Sequence, residues 1–292
     1  PITSAVLSPI AMVSKIEKAG RCRAALIHNK SKTDLKSYTC IRVEAFNILI
    51  IIVAGLLGGF VNAVSAAGSL ITLPAFIFAG LSPSEANATN RVAILAQNFS
   101  SASAFRTKGM PLEPYMLWAS LAAMPGAMLG AWYSLKIPDE LFTKILAVVM
   151  LLFLGITIFN PLKGNKAGNE KLDAKTKATG LVAYFFIGIY CGFLEAGTGF
   201  FLMATSLLLH RFEIVKNNYY KAVVMFMYTL AAFAVFVFKG NIFWLQGCIM
   251  GAAMGVGAFF GSRWTIVASD VWIKRVIAAL IISMAIYLWF FK

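Results

Sequence analysis

Long apolar runs, separated by short polar stretches, make up most of the chain after residue 42. Each comes close to or exceeds the roughly 20 residues that an α-helix needs to cross a bilayer. The longest runs are Ala45–Ala67, Leu112–Leu135, Leu141–Phe159, Thr179–Ala196, Phe243–Trp264 and Trp272–Phe291. A helix satisfies the hydrogen-bonding groups of its own backbone in lipid. The alternation of apolar and polar residues that a β-barrel strand needs is absent from the sequence. The pattern therefore predicts an all-α, polytopic integral membrane protein.

The apolar part of the chain is duplicated. Gly59–Ala63 (GFVNA) recurs as Gly192–Ala196 (GFLEA), and after a two-residue slip Glu85–Asn90 lies opposite Lys216–Lys221. Further matched positions are Lys108 with Lys239, Gly126 with Gly257, Gly130 with Gly261, and Asp139 with Asp270. Polar and glycine-rich interruptions at the same places in two hydrophobic copies are typical of secondary transporters.

Each copy consists of five apolar pieces, of which the second is too short to cross a bilayer. These short pieces are Leu70–Leu81 and Phe200–His210. Break signals flank the first of them, Ala67-Gly68-Ser69 before it and Leu81-Ser82-Pro83-Ser84 after it. Interrupted backbone is tolerated at membrane depth where it lines a cavity. We therefore predict about eight transmembrane helices in two homologous four-helix repeats, each with a short half-membrane segment.

The distribution of charge supports this count and gives an orientation. Only 13% of the residues are charged, about half of the roughly 25% usual for soluble domains. The excess of basic residues, a net charge of +14, is concentrated in the N-terminal segment, at span ends and in the linker between the copies. If the short pieces do not cross, the positive-inside rule places these basic clusters and both termini in the cytoplasm. No aromatic-interleaved basic groove accompanies the charge, so nucleic acid is not an expected partner.

These observations predict four parts of the chain. They are a basic, weakly ordered cytoplasmic tail over 1–42, a first transmembrane repeat over 43–160, a basic cytoplasmic linker over 161–177 and a second transmembrane repeat over 178–292. The tail could be disordered, could touch anionic lipid, or could contribute nothing.

Enzyme and metal chemistry have no motif to support them. The cysteines (Cys22, Cys40, Cys191 and Cys248) form no CxxC pair, and two histidines, His28 and His210, cannot build a metal site. Neither HExxH nor GxSxG occurs, and the absence of GxxxxGK[ST] leaves an ion gradient or a separate subunit as the energy source. We expect no cofactor, no metal and no enzymatic activity.

Polar residues around the breaks are the candidate substrate-binding groups, because each unsatisfied polar group in lipid costs several kcal/mol. The candidates are Asn62, Ser65, Gly68, Ser69, Thr89, Asn90, Arg91, Glu195, Thr198, Gly199, Asn218 and Lys221. The serines that follow, Ser100, Ser101 and Ser103, are better explained as contacts between helices.

Two of these candidates, Arg91 and Lys221, are cations placed near the starts of equivalent long helices. A cation inside the membrane costs at least ~2.5 kcal/mol and by default marks a functional site. We expect the helix amides before Arg91 to add partial positive charge, so that two helix starts would form a cradle for a small oxoanion. In the alternative, both cations extend to a membrane interface. Glu195 could neutralise either cation when the site is empty, or titrate and couple transport to protons.

The first break carries a specific resemblance. The run Gly58–Ala75 (GGFVNAVSAAGSLITLPA), followed by Ala86–Arg91 (ANATNR), resembles the TauE/SafE-type sulfite exporter family, and most of all its YfcA-like branch. Gly192-Phe193 through Gly197–Phe201 resembles the same branch, and the likeness extends from about residue 45 to the C-terminus. Two positions depart from it: the glycine triplet is Ala66-Ala67-Gly68, and Glu195 stands where an uncharged glutamine is expected. An added carboxylate disfavours an anion unless it is paired or protonated.

The resemblance implies an inner-membrane permease, usually an exporter, for small anions such as sulfite, sulfonates or related organic acids. Our leading hypothesis is a secondary transporter whose two halves rock about a site at the breaks, with coupling to protons or another ion left open. An anion channel, a structural membrane scaffold and an intramembrane enzyme are the alternatives, and saturable flux with counter-transport would separate a carrier from a channel.

Overall fold

The computed structural model describes residues 34–65, 68–159, 168–239 and 242–267. Within them the regular structure is helical, without a strand. The helices are α1 (Asp34–Ser65), α2 (Ser69–Phe78), α3 (Pro83–Arg106), α4 (Tyr115–Ser134), α5 (Asp139–Phe159), α6 (Ala174–Phe193), α7 (Thr198–Thr205), which continues as a π-helical turn (Ser206–His210), α8 (Ile214–Lys239) and α9 (Trp244–Val267). The predicted span Trp272–Phe291, most of the basic tail and the first part of the linker lie outside the described residues.

Four helices in the described part are long and apolar enough to cross a membrane. The spans are Ala45–Val64, Ala174–Phe193, Ile214–Phe238 and Trp244–Thr265. Large apolar side chains on their outer faces are exposed, among them Phe186, Phe238 and Leu245, as expected for surfaces that contact lipid rather than water. The prediction of an all-helical, multi-pass membrane protein is confirmed. The count of eight spans and the repeat stay predictions, since four spans are found in the described residues and Trp272–Phe291 lies outside them.

Both predicted short pieces are helices too short to cross. Helix α2 has 10 residues, about 15 Å at 1.5 Å per residue, which is half the thickness of a hydrocarbon core of about 30 Å. Helix α7 has 8 residues and ends in the π-helical turn. The chain then reverses at Arg211, whose φ of 57° is left-handed. Neither short helix therefore has the length to cross the hydrocarbon core.

The starts of α3 and α6 are fixed by capping side chains. The hydroxyl of Ser82 accepts from the Glu85 N–H while the Glu85 carboxylate accepts from the Ser82 N–H, which is a complete capping box. The Asp173 carboxylate caps α6 by accepting from the side chain and backbone of Thr176, and these two hydrogen bonds lower the pKa of Asp173. Helix α3 therefore begins at Pro83, well before Arg91.

The helices do not group by sequence half. Helix α4 packs most extensively on α6 and α8, and α9 packs most extensively on α1 and α3. One bundle therefore contains α1, α2, α3 and α9, and we call it bundle A. The other, bundle B, contains α4, α6, α7 and α8, together with α5, whose Phe142 and Phe153 contact Phe193, Phe200 and Phe201. The third long helix of each sequence half, α4 or α9, therefore packs in the bundle of the other half. Helix α3 packs against α8 between the bundles.

Small residues permit the close approach of helices within each bundle. A Cβ on Gly126 or Gly130 would overlap the carbonyls of Phe185 or Ile189 on α6, and one on Gly257 would overlap the Leu56 carbonyl on α1. These three glycines are therefore positions of close helix packing. The serines act between helices as expected: Ser100 donates to the Gly255 carbonyl at 2.7 Å, and the Ser101 and Ser262 hydroxyls are hydrogen bonded at 2.6 Å.

Candidate functional site

The two chain breaks meet between bundles A and B. The Gly197 N–H, in the break between α6 and α7, donates to the hydroxyl of Ser69 at the start of α2, at 3.2 Å. Gly197 has a φ of +69°, and a side chain there would overlap the Phe153 ring. A side chain at Gly68 would likewise overlap the Gly58 carbonyl. Glycine at both breaks lets the two backbones come together at the centre of the molecule.

Arg91 projects from α3 into the end of α6 in the other bundle. Its side chain is fully buried, and its Nη1 and Nη2 atoms donate to the carbonyls of Cys191 and Gly192, each at 2.7 Å. It also forms an ion pair with the Glu195 carboxylate. The Phe236 ring lies 5.3 Å from its guanidinium carbon, within range of a cation–π interaction. The predicted pairing of Glu195 with a buried cation is confirmed, and the cation is Arg91.

This contact completes the hydrogen bonding of the last turn of α6. The final carbonyls of a helix have no intrahelical partner. Here Leu194 N–H donates to Tyr190, Arg91 donates to the next two carbonyls, and the Asn87 amide donates to Phe193 at 3.1 Å. A cation is also favoured at this end of a helix by its partial negative charge. Arg91 therefore serves as a C-terminal cap supplied by the opposite bundle.

The expectation that free helix amides before Arg91 contribute positive charge is wrong. Because α3 begins at Pro83, the amides just before Arg91 belong to the helix interior. The amides without an intrahelical acceptor lie in the first turn of α3, where the Ser84 N–H donates to the Asp139 carboxylate at 3.1 Å. Within the described residues, no cradle of helix amides forms around Arg91.

Glu195 is held by more than the ion pair. The Tyr228 hydroxyl donates to its Oε1 atom at 2.9 Å and lies 3.1 Å from the Thr198 hydroxyl. Thr198 contacts the same carboxylate oxygen at 3.4 Å. All of these side chains are fully buried. The carboxylate is thus neutralised by Arg91 and hydrogen bonded within the break of bundle B.

Lys221 is the second buried cation, and its surroundings differ. Its Nζ donates to the Asn62 carbonyl at 2.6 Å and to the Asn218 side-chain carbonyl at 2.9 Å. Its exposed fraction is 2%, so it does not extend to a membrane interface. Within the residues that the structure describes, no carboxylate pairs with it. Lys221 is therefore a buried cation whose two neutral partners leave its charge uncompensated.

The two cations occupy related positions. Asn62 lies in the last turn of α1, and Lys221 reaches it from α8 in the other bundle. Arg91 reaches the last turn of α6 from α3 in the same crossed manner. In the sequence alignment Asn62 lies opposite Glu195. Each half therefore places a cation on the end of the other half's first helix, but only one of the two meets a carboxylate.

Amide side chains extend from Lys221 into bundle A. The Asn62 amide donates to Gln97 at 2.6 Å and its carbonyl accepts from the Gly68 N–H at 3.3 Å. Gln97 donates in turn to Asn98 at 3.4 Å, and Thr72 donates to Asn90 at 2.9 Å. The Nδ2 atoms of three buried amides have no partner in the described part of the chain: Asn90, Asn98 and Asn218. Buried donors without acceptors are costly, and they suit a ligand that supplies oxygen acceptors.

Other candidates have structural partners. The Thr89 hydroxyl accepts from Phe243 N–H at 3.1 Å, which joins α3 to the start of α9. Gly199 is buried in the first turn of α7, and the side chain of Ser65 lies outside the described residues. The candidate set lacked Gln97, Asn98 and Tyr228. Tyr228 lies two helical turns after Lys221, so the helical period places both on one face of α8, a signal that the sequence does contain.

Comparison with known proteins gives consistent results. The family described as sulfite exporter TauE/SafE matches residues 51–288. A probable membrane transporter protein from Sinorhizobium sp. is 28% identical over 249 residues, 84% of this chain and 93% of the relative. A probable membrane transporter protein from Haemophilus influenzae is 28% identical over 74% of this chain and 84% of its own length. The probable membrane transporter protein YfcA of Escherichia coli is 25% identical over 76% of this chain and 85% of its own. No solved structure matches significantly.

Proposed function

Because the chain belongs to the sulfite exporter TauE/SafE family, we propose that it is a secondary transporter, most simply an exporter, of small organic or sulfur-containing anions. The substrate binds between bundles A and B, beside Lys221, and the protein resides in the inner membrane with both termini in the cytoplasm. Transport draws on an ion gradient or on a separate energy-coupling subunit, since the sequence has no nucleotide-binding motif. The relatives are named as membrane transporters, in keeping with a non-enzymatic role.

The observation that carries the proposal is the uncompensated charge of Lys221. A buried cation without a carboxylate is costly in a low-dielectric interior. An anion beside its Nζ removes that cost. Asn218 binds Lys221 directly and Asn98 is connected to it through Gln97 and Asn62, and the Nδ2 atoms of both, like that of Asn90, have no partner in the described part of the chain. Oxygen-rich groups such as sulfite, sulfonate and carboxylate accept several hydrogen bonds at once. The site is thus suited to an anion and poorly suited to a cation.

Arg91 has a different role in this proposal. Its guanidinium is occupied by Glu195 and by the carbonyls of Cys191 and Gly192. Its charge therefore stabilises the contact between the bundles and does not bind the substrate. Lys221 binds the substrate directly, while Arg91 holds the end of α6 and the break after it in place.

Ligand-induced thermal stabilisation of the purified protein tests the proposal. Sulfite, thiosulfate, ethanesulfonate and simple carboxylates are the probes. A ligand that binds only the folded state adds about 2.7 kcal/mol at a hundredfold excess over its Kd. We expect at least one of these anions to stabilise the wild type and Lys221→Gln to abolish that shift.

Lys144→Gln is the matched control, because Lys144 is an exposed cation on α5. It should respond to the anion as the wild type does. Equal shifts in the Lys221→Gln protein and the wild type, or no shift with any anion, would contradict the proposed site. Counterflow of the stabilising anion in proteoliposomes separates a carrier from a channel, because a channel cannot exchange internal for external substrate against its gradient.

A further inference from the structure

Among the residues that the structure describes, three buried side chains with a formal charge lie at the contacts between bundles A and B, and we call these contacts the buried layer: Arg91, Glu195 and Lys221. Arg91 and Glu195 neutralise each other through their ion pair. Lys221 alone is left without a partner of opposite charge among the described residues. The layer therefore has a net charge of one positive unit when its groups are ionised.

The other buried titratable groups do not change this count. Tyr228 and Cys191 are neutral in their ordinary protonated forms. His210 lies elsewhere, at the end of the π-helical turn, where its Nδ1 is 3.4 Å from the Lys171 carbonyl and its ring stacks with Tyr184. Its neighbours are aromatic residues and the linker rather than the buried layer.

From this charge count we infer that the site selects singly charged anions over doubly charged ones, and that Glu195 sets this selectivity. The inference rests on the proposed function. A monoanion beside Lys221 leaves the occupied layer neutral, whereas a dianion leaves one uncompensated negative charge in a low-dielectric interior, which is costly. Glu195 strengthens this preference, because its carboxylate already neutralises Arg91. Without it, Arg91 could pair with the second anionic group of a dianion.

Glutamate and the uncharged glutamine at position 195 would give opposite preferences. With glutamine there, Arg91 would have no carboxylate partner and the layer would carry two positive charges. The same fold would therefore favour monoanions with this carboxylate and dianions without it.

Ethanesulfonate and ethanedisulfonate are the test probes, since a sulfonate keeps its charge throughout the working pH range. Butanesulfonate, singly charged and of similar bulk to the disulfonate, controls for size. We expect the wild type to bind both monosulfonates at least about tenfold more tightly than the disulfonate, and Glu195→Gln to lower that ratio by about tenfold or more. The readout is the Kd from thermal stabilisation or calorimetry.

Two further variants keep the test decisive. Glu140→Gln removes an exposed carboxylate on α5 and should leave the ratio unchanged. The double variant Arg91→Gln, Glu195→Gln removes both members of the pair, keeps the net charge of the layer, and should retain the preference for monosulfonates. If Glu195→Gln does not fold, the wild type and the double variant still decide the question.

Different results separate the two proposals. If neither mono- nor disulfonates nor any other anion binds, the proposed function fails. If anions bind but the wild type takes ethanedisulfonate as tightly as butanesulfonate, only the selectivity inference is overturned. A ratio that changes equally in Glu195→Gln and Glu140→Gln overturns it as well.

Discussion

At the scale of single residues, the environment of a cation decides its role. Arg91 and Lys221 are equivalent from the sequence, since both are buried cations near the beginning of a long helix. Arg91 pairs with a carboxylate and donates to two carbonyls, whereas Lys221 has only neutral partners among the described residues. The sequence could identify both cations but not this difference, because Arg91 and Glu195 are 104 residues apart and only the packing of α3 on α6 brings them together.

The hydroxyl of Tyr228 gives a prediction at this scale. It is the closest hydrogen-bond donor to Glu195 Oε1, at 2.9 Å, and it is fully buried. Tyr228→Phe leaves that oxygen with the longer Thr198 contact alone, and an under-satisfied buried acceptor costs about 1–3 kcal/mol. We expect a loss of that size in the free energy of unfolding, measured by denaturant titration in detergent.

Tyr133→Phe is the control for that measurement, because Tyr133 is an exposed tyrosine on α4 with no hydrogen bond from its hydroxyl in the described part of the chain. It should change the stability by less than about 0.5 kcal/mol. Equal losses in the two variants would mean that the hydroxyl of Tyr228 does not support the Glu195 carboxylate.

At the scale of helices, most boundaries follow from the sequence, and the reasons are local. Ser82 and Pro83 fix the start of α3, and both short helices coincide closely with the predicted short pieces. The predicted cradle of amides at Arg91 failed because α3 already begins at Pro83, so the amides just before Arg91 are hydrogen bonded inside the helix. The capping box at Ser82 and Glu85 marks that start in the sequence. Tyr228 was missed because a tyrosine in an apolar run resembles ordinary core packing.

Glycine positions give a prediction at this scale. Gly130 on α4 lies directly against the backbone of α6, and a methyl group there would overlap the Ile189 carbonyl. Gly130→Ala therefore forces two backbones apart, and overpacking of this kind costs typically about 1–3 kcal/mol. We expect a clear fall in unfolding free energy and a lower yield of folded protein in detergent. Gly255→Ala is matched to it, since the nearest atoms to a methyl group there are 3.8 Å away, and it should be tolerated. A harmless Gly130→Ala would contradict the close packing of α4 on α6.

At the scale of the whole molecule, the bundles differ from the sequence halves. The duplicated sequence predicts two halves that rock about a central site. In the structure α4 packs on α6 and α8 of the second half, while α9 packs on α1 and α3 of the first. The sequence could not reveal this exchange, because apolar faces of equal character give no information about which helix they cover. Three polar contacts at the breaks join bundle A to bundle B: Arg91 with Glu195, Lys221 with Asn62, and Ser69 with Gly197.

This arrangement changes which parts should move during transport. If the bundles are the rigid bodies, a link between α3 and α4 joins two moving parts, although both helices belong to the first sequence half. A link between α3 and α9 lies inside bundle A, although it joins the two sequence halves. Asn87 and Ser134 are hydrogen bonded at 3.2 Å across the first contact, and Ser101 and Ser262 at 2.6 Å across the second. Two disulfides at these pairs therefore test the two descriptions against each other.

We expect Asn87→Cys with Ser134→Cys to lose transport of the stabilising anion on oxidation and to recover it on reduction, in proteoliposomes. Ser101→Cys with Ser262→Cys should transport equally well when oxidised and when reduced, with gel mobility confirming that each disulfide forms. The opposite pattern would show that the sequence halves move as units, since only the second link joins them. If neither disulfide affects transport, the substrate path does not depend on relative motion of the bundles, and a fixed channel between them becomes the better description of the same buried layer.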